Sequence, residues 1–248
     1  LAPEQWTTQT TGDDFYASNT KVTASEWVSF HFGWNIDSPF FADRRVRRAM
    51  SYAFDHDAML EKLCYGLYKP AAGNFPEDSW MAPKRKLQPY KQNLDTAETL
   101  LDEAGWIDHD NDGIRDKEIN GRLVPFEFSM LVNQQPLRIA ICTLLKESLE
   151  QVGVRMNVRP TEATVIQDLT QKKKFQAYFG GWGSGTDPDS SENIWATGAG
   201  RNFVSYSNPE VDRLFAEGRR ELDRGKRAEK YGRIQEILYE DQPYTWLY

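Results

Sequence analysis

Apolar positions along this chain change their period several times, and each change predicts an element. Between residues 26 and 35 the even positions Val28, Phe30, Phe32 and Trp34 are all apolar and the odd ones mixed, which predicts a strand with one buried face. His31 falls on the other face, where a solvated or locally bonded histidine is expected. From 41 to 55 the period lengthens: Val46, Ala49, Met50 and Ala53 recur at helical spacing behind Asp43, a natural N-cap. Arg44, Arg45, Arg47 and Arg48 surround that stripe and are expected on a solvated face, paired with carboxylates. Asp55 caps a second short helix, 56–65, which Gly66 ends. Residues 69–90, rich in proline and glycine, predict a long surface loop. Residues 1–24 are polar and without period, and predict an extended lead-in.

The second half alternates. Asp95 starts a helix over 96–104 that Gly105 stops, and 123–132 reads as a strand. Pro136 opens a helix over 137–151 with Ile141, Leu144, Leu145, Leu149 and Val152 inward. A strand over 154–160, a short helix over 164–171 and a strand over 175–182 follow. This alternation predicts an α/β fold, a mixed sheet flanked by helices. Asn208 and Pro209 open a helix that turns Val211, Leu214 and Phe215 inward, a last helix covers 226–239, and 243–248 returns as an extended segment.

The stretch 175–189 organises the rest. Phe175, Ala177 and Phe179 alternate with Gln176 and Tyr178, then run into Gly180, Gly181, Trp182, Gly183, Ser184 and Gly185. So many glycines around one large aromatic leave the main chain open to another molecule. That predicts a strand running out into a binding loop at a sheet edge; a glycine-rich connection around a packed tryptophan is the alternative. Spacing disfavours other chemistry. A dinucleotide fingerprint needs glycine where Thr186 stands, a phosphate loop needs lysine after Gly185, and a nucleophile elbow needs glycines where Trp182 and Thr186 flank Ser184. No cofactor is expected. Asp187 and Asp189 around Pro188 form a turn, or in a second reading a hydrolytic carboxylate pair.

Composition narrows the class. The 248 residues, 40 % hydrophobic and 13 % aromatic, can fill one large domain or two small ones. A net charge of −7 attracts neither nucleic acid nor an anionic membrane. No apolar run approaches the roughly 20 residues of a membrane span, and the opening LAPEQW has no signal-peptide pattern. Cys64 and Cys142 sit among apolar helical neighbours as expected buried thiols, a disulfide being left open. His31, His56 and His109 show no zinc spacing. Asp108, Asp110 and Asp112 before Gly113 match half of a calcium loop, but its twelfth position is Ile119. An Asx-rich turn before a hairpin at 118–122 is expected instead, with a calcium-stabilised scaffold as the alternative.

Five stretches in this order, FADRRVRRAMSYAFDHDAML, AETLLDEAGWIDHDNDGIRD, LLKESLEQVGVRMNV, FQAYFGGWGSGTDPDS and NFVSYSNPEVDRLF, resemble the peptide/nickel family of extracytoplasmic solute-binding proteins. These are the ligand receptors of ABC importers. The resemblance covers about 30–248 and only the C-terminal half of such a protein, the second lobe of a type II periplasmic binding protein. It implies a lead-in over 1–29, a ligand-binding lobe over 30–242, and a crossover towards a first lobe beginning at 243–248. It implies a small peptide or other solute as ligand, a first lobe and an ABC permease as partners, no catalysis, and a periplasmic or envelope location. By position it assigns ligand contacts to Trp182, Gly183, Ser184, Gly185, Thr186 and Asp187, and to Asn133 across the site. Peptide-binding members carry an aspartate for the ligand ammonium where Gly185 stands, and dipeptide binders an arginine where Asn133, Gln134 and Gln135 stand. Free dipeptides are therefore disfavoured against longer peptides, other amines or uncharged solutes. Trp195 is expected to pack in the lobe.

Overall fold

One five-stranded sheet between two helical layers carries the chain in the computed structural model, which describes residues 2–24 and 26–248. The order along the chain is α1 (Pro3–Thr8), α2 (Asp13–Tyr16), β1 (Val28–Trp34), α3 (Arg44–Ala53) and α4 (His56–Ala58, continued by a π-helical turn over Met59–Leu63). Then come α5 (Leu94–Glu103), β2 (Asp116–Ile119), β3 (Arg122–Pro125), β4 (Glu127–Val132), α6 (Pro136–Glu150), β5 (Arg155–Pro160), α7 (Ala163–Gln171) and β6 (Ala177–Gly183). A 3-10 turn over Pro188–Ser191, α8 (Glu192–Trp195), α9 (Pro209–Arg220), α10 (Arg224–Asp241) and β7 (Tyr244–Trp246) complete it.

The strands lie in the order β5-β4-β6-β1-β7. β4 pairs in parallel with both β5 and β6, and β1 runs antiparallel to β6 and β7, so the sheet is mixed as expected. Phe32, Trp34, Phe128, Met130 and Phe179 pack under α3, α5 and α6; Tyr178, Tyr244 and Trp246 pack under α8, α9 and α10 on the other face. Alternating strand residues thus meet apolar layers on both sides.

Four expectations are corrected. The lead-in, of which Leu1 and Ser25 lie outside the described residues, contains the two short helices α1 and α2; Pro3 at the first turn and Asp13 and Asp14 at the start of the other suit helix beginnings. The strand expected over 123–132 breaks after Pro125: β3 forms a hairpin with β2, and only β4 enters the main sheet. Phe126, between them, is fully buried. His31 is buried rather than solvated, because the second helical layer covers the face it occupies. Arg47 is 5 % exposed and not on a solvated face. Its guanidinium donates to the carbonyls of Phe41 (2.8 Å), Ala42 (3.0 Å) and Asp241 (3.0 Å). Asp241 ends α10, so Arg47 caps that helix with the charge its C-terminus favours.

Cys64 and Cys142 are both buried and unbridged. The 108–116 segment is an Asx-rich turn: the Asp108 carboxylate accepts from the amides of Asp112 and Gly113, and Asp112 Oδ1 accepts from Ile114 at 2.7 Å. Oxygens of Asp108, Asp110 and Asp116 lie within 4.8 Å of one another, but Asp116 is engaged by His109 Nδ1 at 2.5 Å.

Replacing Arg47 by alanine leaves buried carbonyls unpaired, and chemical denaturation is expected to show a loss of about 2–4 kcal/mol. Arg44→Ala, which removes only an exposed contact to Asp241 at 4.0 Å, is expected to change stability by less than about 0.5 kcal/mol.

Candidate ligand-binding site

The β1–β6 register decides which main-chain groups of β6 are free. Val28 faces Gly183, Phe30 faces Gly181 and Phe32 faces Phe179. Ser184 N donates to Trp27 O (2.6 Å) and Asn35 N to Gln176 O (3.0 Å). Hydrogen-bonded pairs alternate along an antiparallel ladder, so the even residues of β6 from 176 to 184 turn their amides and carbonyls to β1. The odd residues turn theirs away, towards β4. But β4 pairs with β6 only at Ala177 and Tyr178 and ends at Val132. Beyond that point the N–H and C=O of Gly181 and Gly183 face no strand among the described residues, and both residues are exposed. β6 is a central strand at its start and an edge strand at its end.

That open side lies in a crevice. After β4 the chain passes to α6, which packs through Leu145 on the face that carries Phe128 and Met130; after β6 it passes to α8 on the opposite face. Adjacent strands whose connections part to opposite faces leave a cleft at their carboxyl ends, where ligands of such sheets bind. Asn133, directly after β4, is half-buried there, its only side-chain bond among the described residues a long 3.5 Å contact from Gln135 N.

The glycines serve neighbouring rings as well as the open edge. A Cβ on Gly180 would lie 2.3 Å from the Tyr178 ring, and one on Gly181 would lie 2.7 Å from the Phe30 ring. Both aromatic side chains lie flat across bare backbone. A Cβ on Gly183 would meet nothing within 4 Å.

Trp182 is half-buried, with its ring 5.5 Å from that of Phe203. Its indole N–H donates to the Tyr244 hydroxyl at 3.1 Å. The Tyr244 and Tyr178 hydroxyls are 3.2 Å apart, and Tyr178 lies 3.2 Å from His31 Nε2. The His31 ring stacks on Tyr244 at 3.7 Å. Burial lowers the His31 pKa to about 3 and raises that of Tyr244 to about 12, so the chain of polar groups behind Trp182 is uncharged at neutral pH. Nothing in the local sequence pointed to His31, Tyr178 or Tyr244; only the topology brings β1, β6 and β7 together.

The other expected residues divide. Gly185 and Thr186 are exposed beside the cleft. The Ser184 hydroxyl donates to the Asn74 carbonyl at 2.8 Å, tying the loop to the long 69–90 segment. Asp187 does not offer a free carboxylate: Arg227 grips it with two bonds of 2.8 and 2.9 Å and holds its carboxyl below the usual carboxylate range. Asp189 accepts from Arg219 (2.9 Å) and Tyr231 (3.1 Å). The aspartate pair is thus engaged in structural bonds. Trp195 is fully buried, as expected.

A doubly wound lobe with a strand edge opening into its carboxyl-end cleft has the geometry of a binding domain for a small solute. The chain belongs to the bacterial extracellular solute-binding proteins, family 5, whose family model matches residues 1–203. It is 32 % identical over 240 residues to the oligopeptide-binding protein AppA of Bacillus subtilis, covering 93 % of this chain and 43 % of that one. The structure of that protein in complex with a nonapeptide superposes with a TM-score of 0.85 at 30 % identity, over 92 % of this chain and 45 % of that one. NikZ from Campylobacter jejuni in complex with Ni(L-His) gives a TM-score of 0.79 at 26 % identity, over 90 % and 45 % of the two chains. This chain therefore spans less than half the length of these relatives. No helix among the described residues is long and apolar enough to cross a membrane.

The buried histidine makes stability depend on pH. Its pKa falls from 6.5 in the unfolded chain to about 3 in the folded one. Between those values the unfolded chain holds a proton that the folded chain lacks, so acidification favours unfolding. Stability is full above pH 6.5 and is expected to fall by about 1.4 kcal/mol per pH unit below it. Denaturation of His31→Gln between pH 7 and 5 is expected to show a shallower slope, what remains including the share of His56, whose pKa burial also lowers.

Proposed function

We propose that this chain is the ligand-binding second lobe of an extracytoplasmic receptor for an ABC importer, and that it binds an extended peptide or peptide-like solute without catalysis. The observation that carries this reading is the unpaired side of β6 at Gly181 and Gly183, exposed in the carboxyl-end cleft. An extended main chain laid there gains hydrogen bonds that do not depend on its sequence. Trp182 with Phe203 supplies an apolar wall on one face, and Phe30 on the other. Asn133, Gly185 and Thr186 border the same space; Asp187 has a supporting role through Arg227.

In this reading the lobe runs from β1 to β7, since β7 completes its sheet, and it works with a first lobe of the same protein. Closure of the two lobes would bury the ligand, and the permease would receive it from the closed form. Support comes from the family and from the length of the relatives, together with a net charge that suits no nucleic acid. The hydrolytic reading of Asp187 and Asp189 is disfavoured because both carboxylates are held by arginines.

One lobe alone makes only half of the contacts, so binding in the millimolar range is expected. Titration of the ¹⁵N-labelled chain with tetra-alanine should move the amides of Gly181 and Gly183 before others. Gly183→Pro removes one open-side donor and no bond to β1, and should weaken binding at least about three-fold with little loss of stability. Shifts confined to another surface, or none at all, would overturn the reading.

A further inference from the structure

Two arginines stand over opposite faces of the end of β6, and neither was legible as a site residue. Arg138, in the first turn of α6, places its guanidinium 4.8 Å from the Phe30 ring and 5.6 Å from the Phe179 ring. Phe30 is the ring that lies across Gly181. Arg201, in the exposed loop after α8, lies 6.0 Å from the Trp182 ring. Among the described residues neither guanidinium makes an ion pair or a hydrogen bond. The arginines of the neighbouring helices differ: Arg219, Arg227 and Arg233 are all paired with carboxylates. Asp187 and Asp189, the acids nearest in sequence to Trp182, are already engaged by two of them and do not neutralise the cleft.

The position of Arg138 also costs stability, since a cation in the first turn opposes the helix dipole. Ring faces hold both guanidinium groups in place while their N–H edges stay free for a ligand. Arg138 stands on the face of β6 that carries Phe179 and Gly181; Arg201 stands on the face that carries Trp182. Side chains of an extended ligand added to β6 alternate between those faces with a period of two. Successive ligand residues therefore meet one guanidinium and then the other.

We infer that the site selects extended peptides with carboxylates at consecutive positions, two neighbouring acidic residues or one acidic residue beside the terminal carboxylate. This rests on the strand-addition reading above. Arg138 takes the carboxylate on one face and Arg201 the next one on the other, each through the paired N–H geometry that suits a carboxylate.

The test is a ¹⁵N titration of the whole chain with Ala-Glu-Glu-Ala, Ala-Gln-Gln-Ala and Ala-Lys-Lys-Ala, each acetylated and amidated at its ends. The acidic peptide is expected to bind about ten-fold more tightly than the amide one, and the lysine peptide least. The ratio should shrink between about 0.05 and about 0.5 M salt. R138Q and R201Q should each reduce it to about three-fold, and R138K should restore part of it. Equal affinity for the acidic and amide peptides, or a ratio unchanged in the double glutamine variant, overturns the inference. If Ala-Gln-Gln-Ala still moves the Gly181 and Gly183 amides, strand addition stands without it. If no peptide moves those amides, strand addition fails and the charge selection with it.

Discussion

The antiparallel pairing of β1 with β6 is the constraint on which the site depends. It is fixed at both ends, by Asn35 on Gln176 and by Trp27 on Ser184. A slip of one residue would turn Gly181 and Gly183 towards β1 and direct the bonded set outward instead; it would also move Trp182 to the other face. The early end of β4 does the rest, because it leaves the free row of donors and acceptors with no partner among the described residues. Exposed edges invite unwanted pairing between chains. Here the exposure is limited to the last few residues of a strand whose start is sealed between β4 and β1.

Behind that edge the protein holds the half-buried Trp182 by buried polar groups. Trp182, Tyr244, Tyr178 and His31 form one line of contacts across three strands. Polar atoms in such a place are costly unless they meet each other, and His31 Nδ1 still has no partner among the described residues. The arrangement needs Tyr178 to lie flat over Gly180 and Gly33. The glycines therefore do two things, leaving a bare strand edge at the cleft and making room for the rings of Tyr178 and Phe30.

Much of this was open to reading from the residues. The stripes Val46–Ala49–Met50–Ala53 and Ile141–Leu145–Leu149 fall where α3 and α6 are found, and the glycine-rich run after Phe179 falls at the cleft. A period reveals only which residues share a face, not what covers the other face. His31 and Arg47 were misplaced for that reason: each meets a layer contributed by residues near the far end of the chain, Tyr244 and Trp246 for the histidine and Asp241 for the arginine. Pro125 could have warned that one long strand was two. The free side of β6 depends on where β4 stops, a long-range fact with no local signature. Arg138 carried a faint signal, a cation where helices favour acids; Arg201 carried none.

The fork between Asp187 and Arg227 has one more effect. Together with the bond from Ser184 to Asn74 it fastens the segment that follows β6 at two points, one on α10 and one on the 69–90 segment. A loop already held in shape surrenders little disorder when a guest arrives, so the free energy of ordering is spent during folding rather than at capture. In the proposed binding role, loosening either tether would shift that cost of ordering back to the moment of capture.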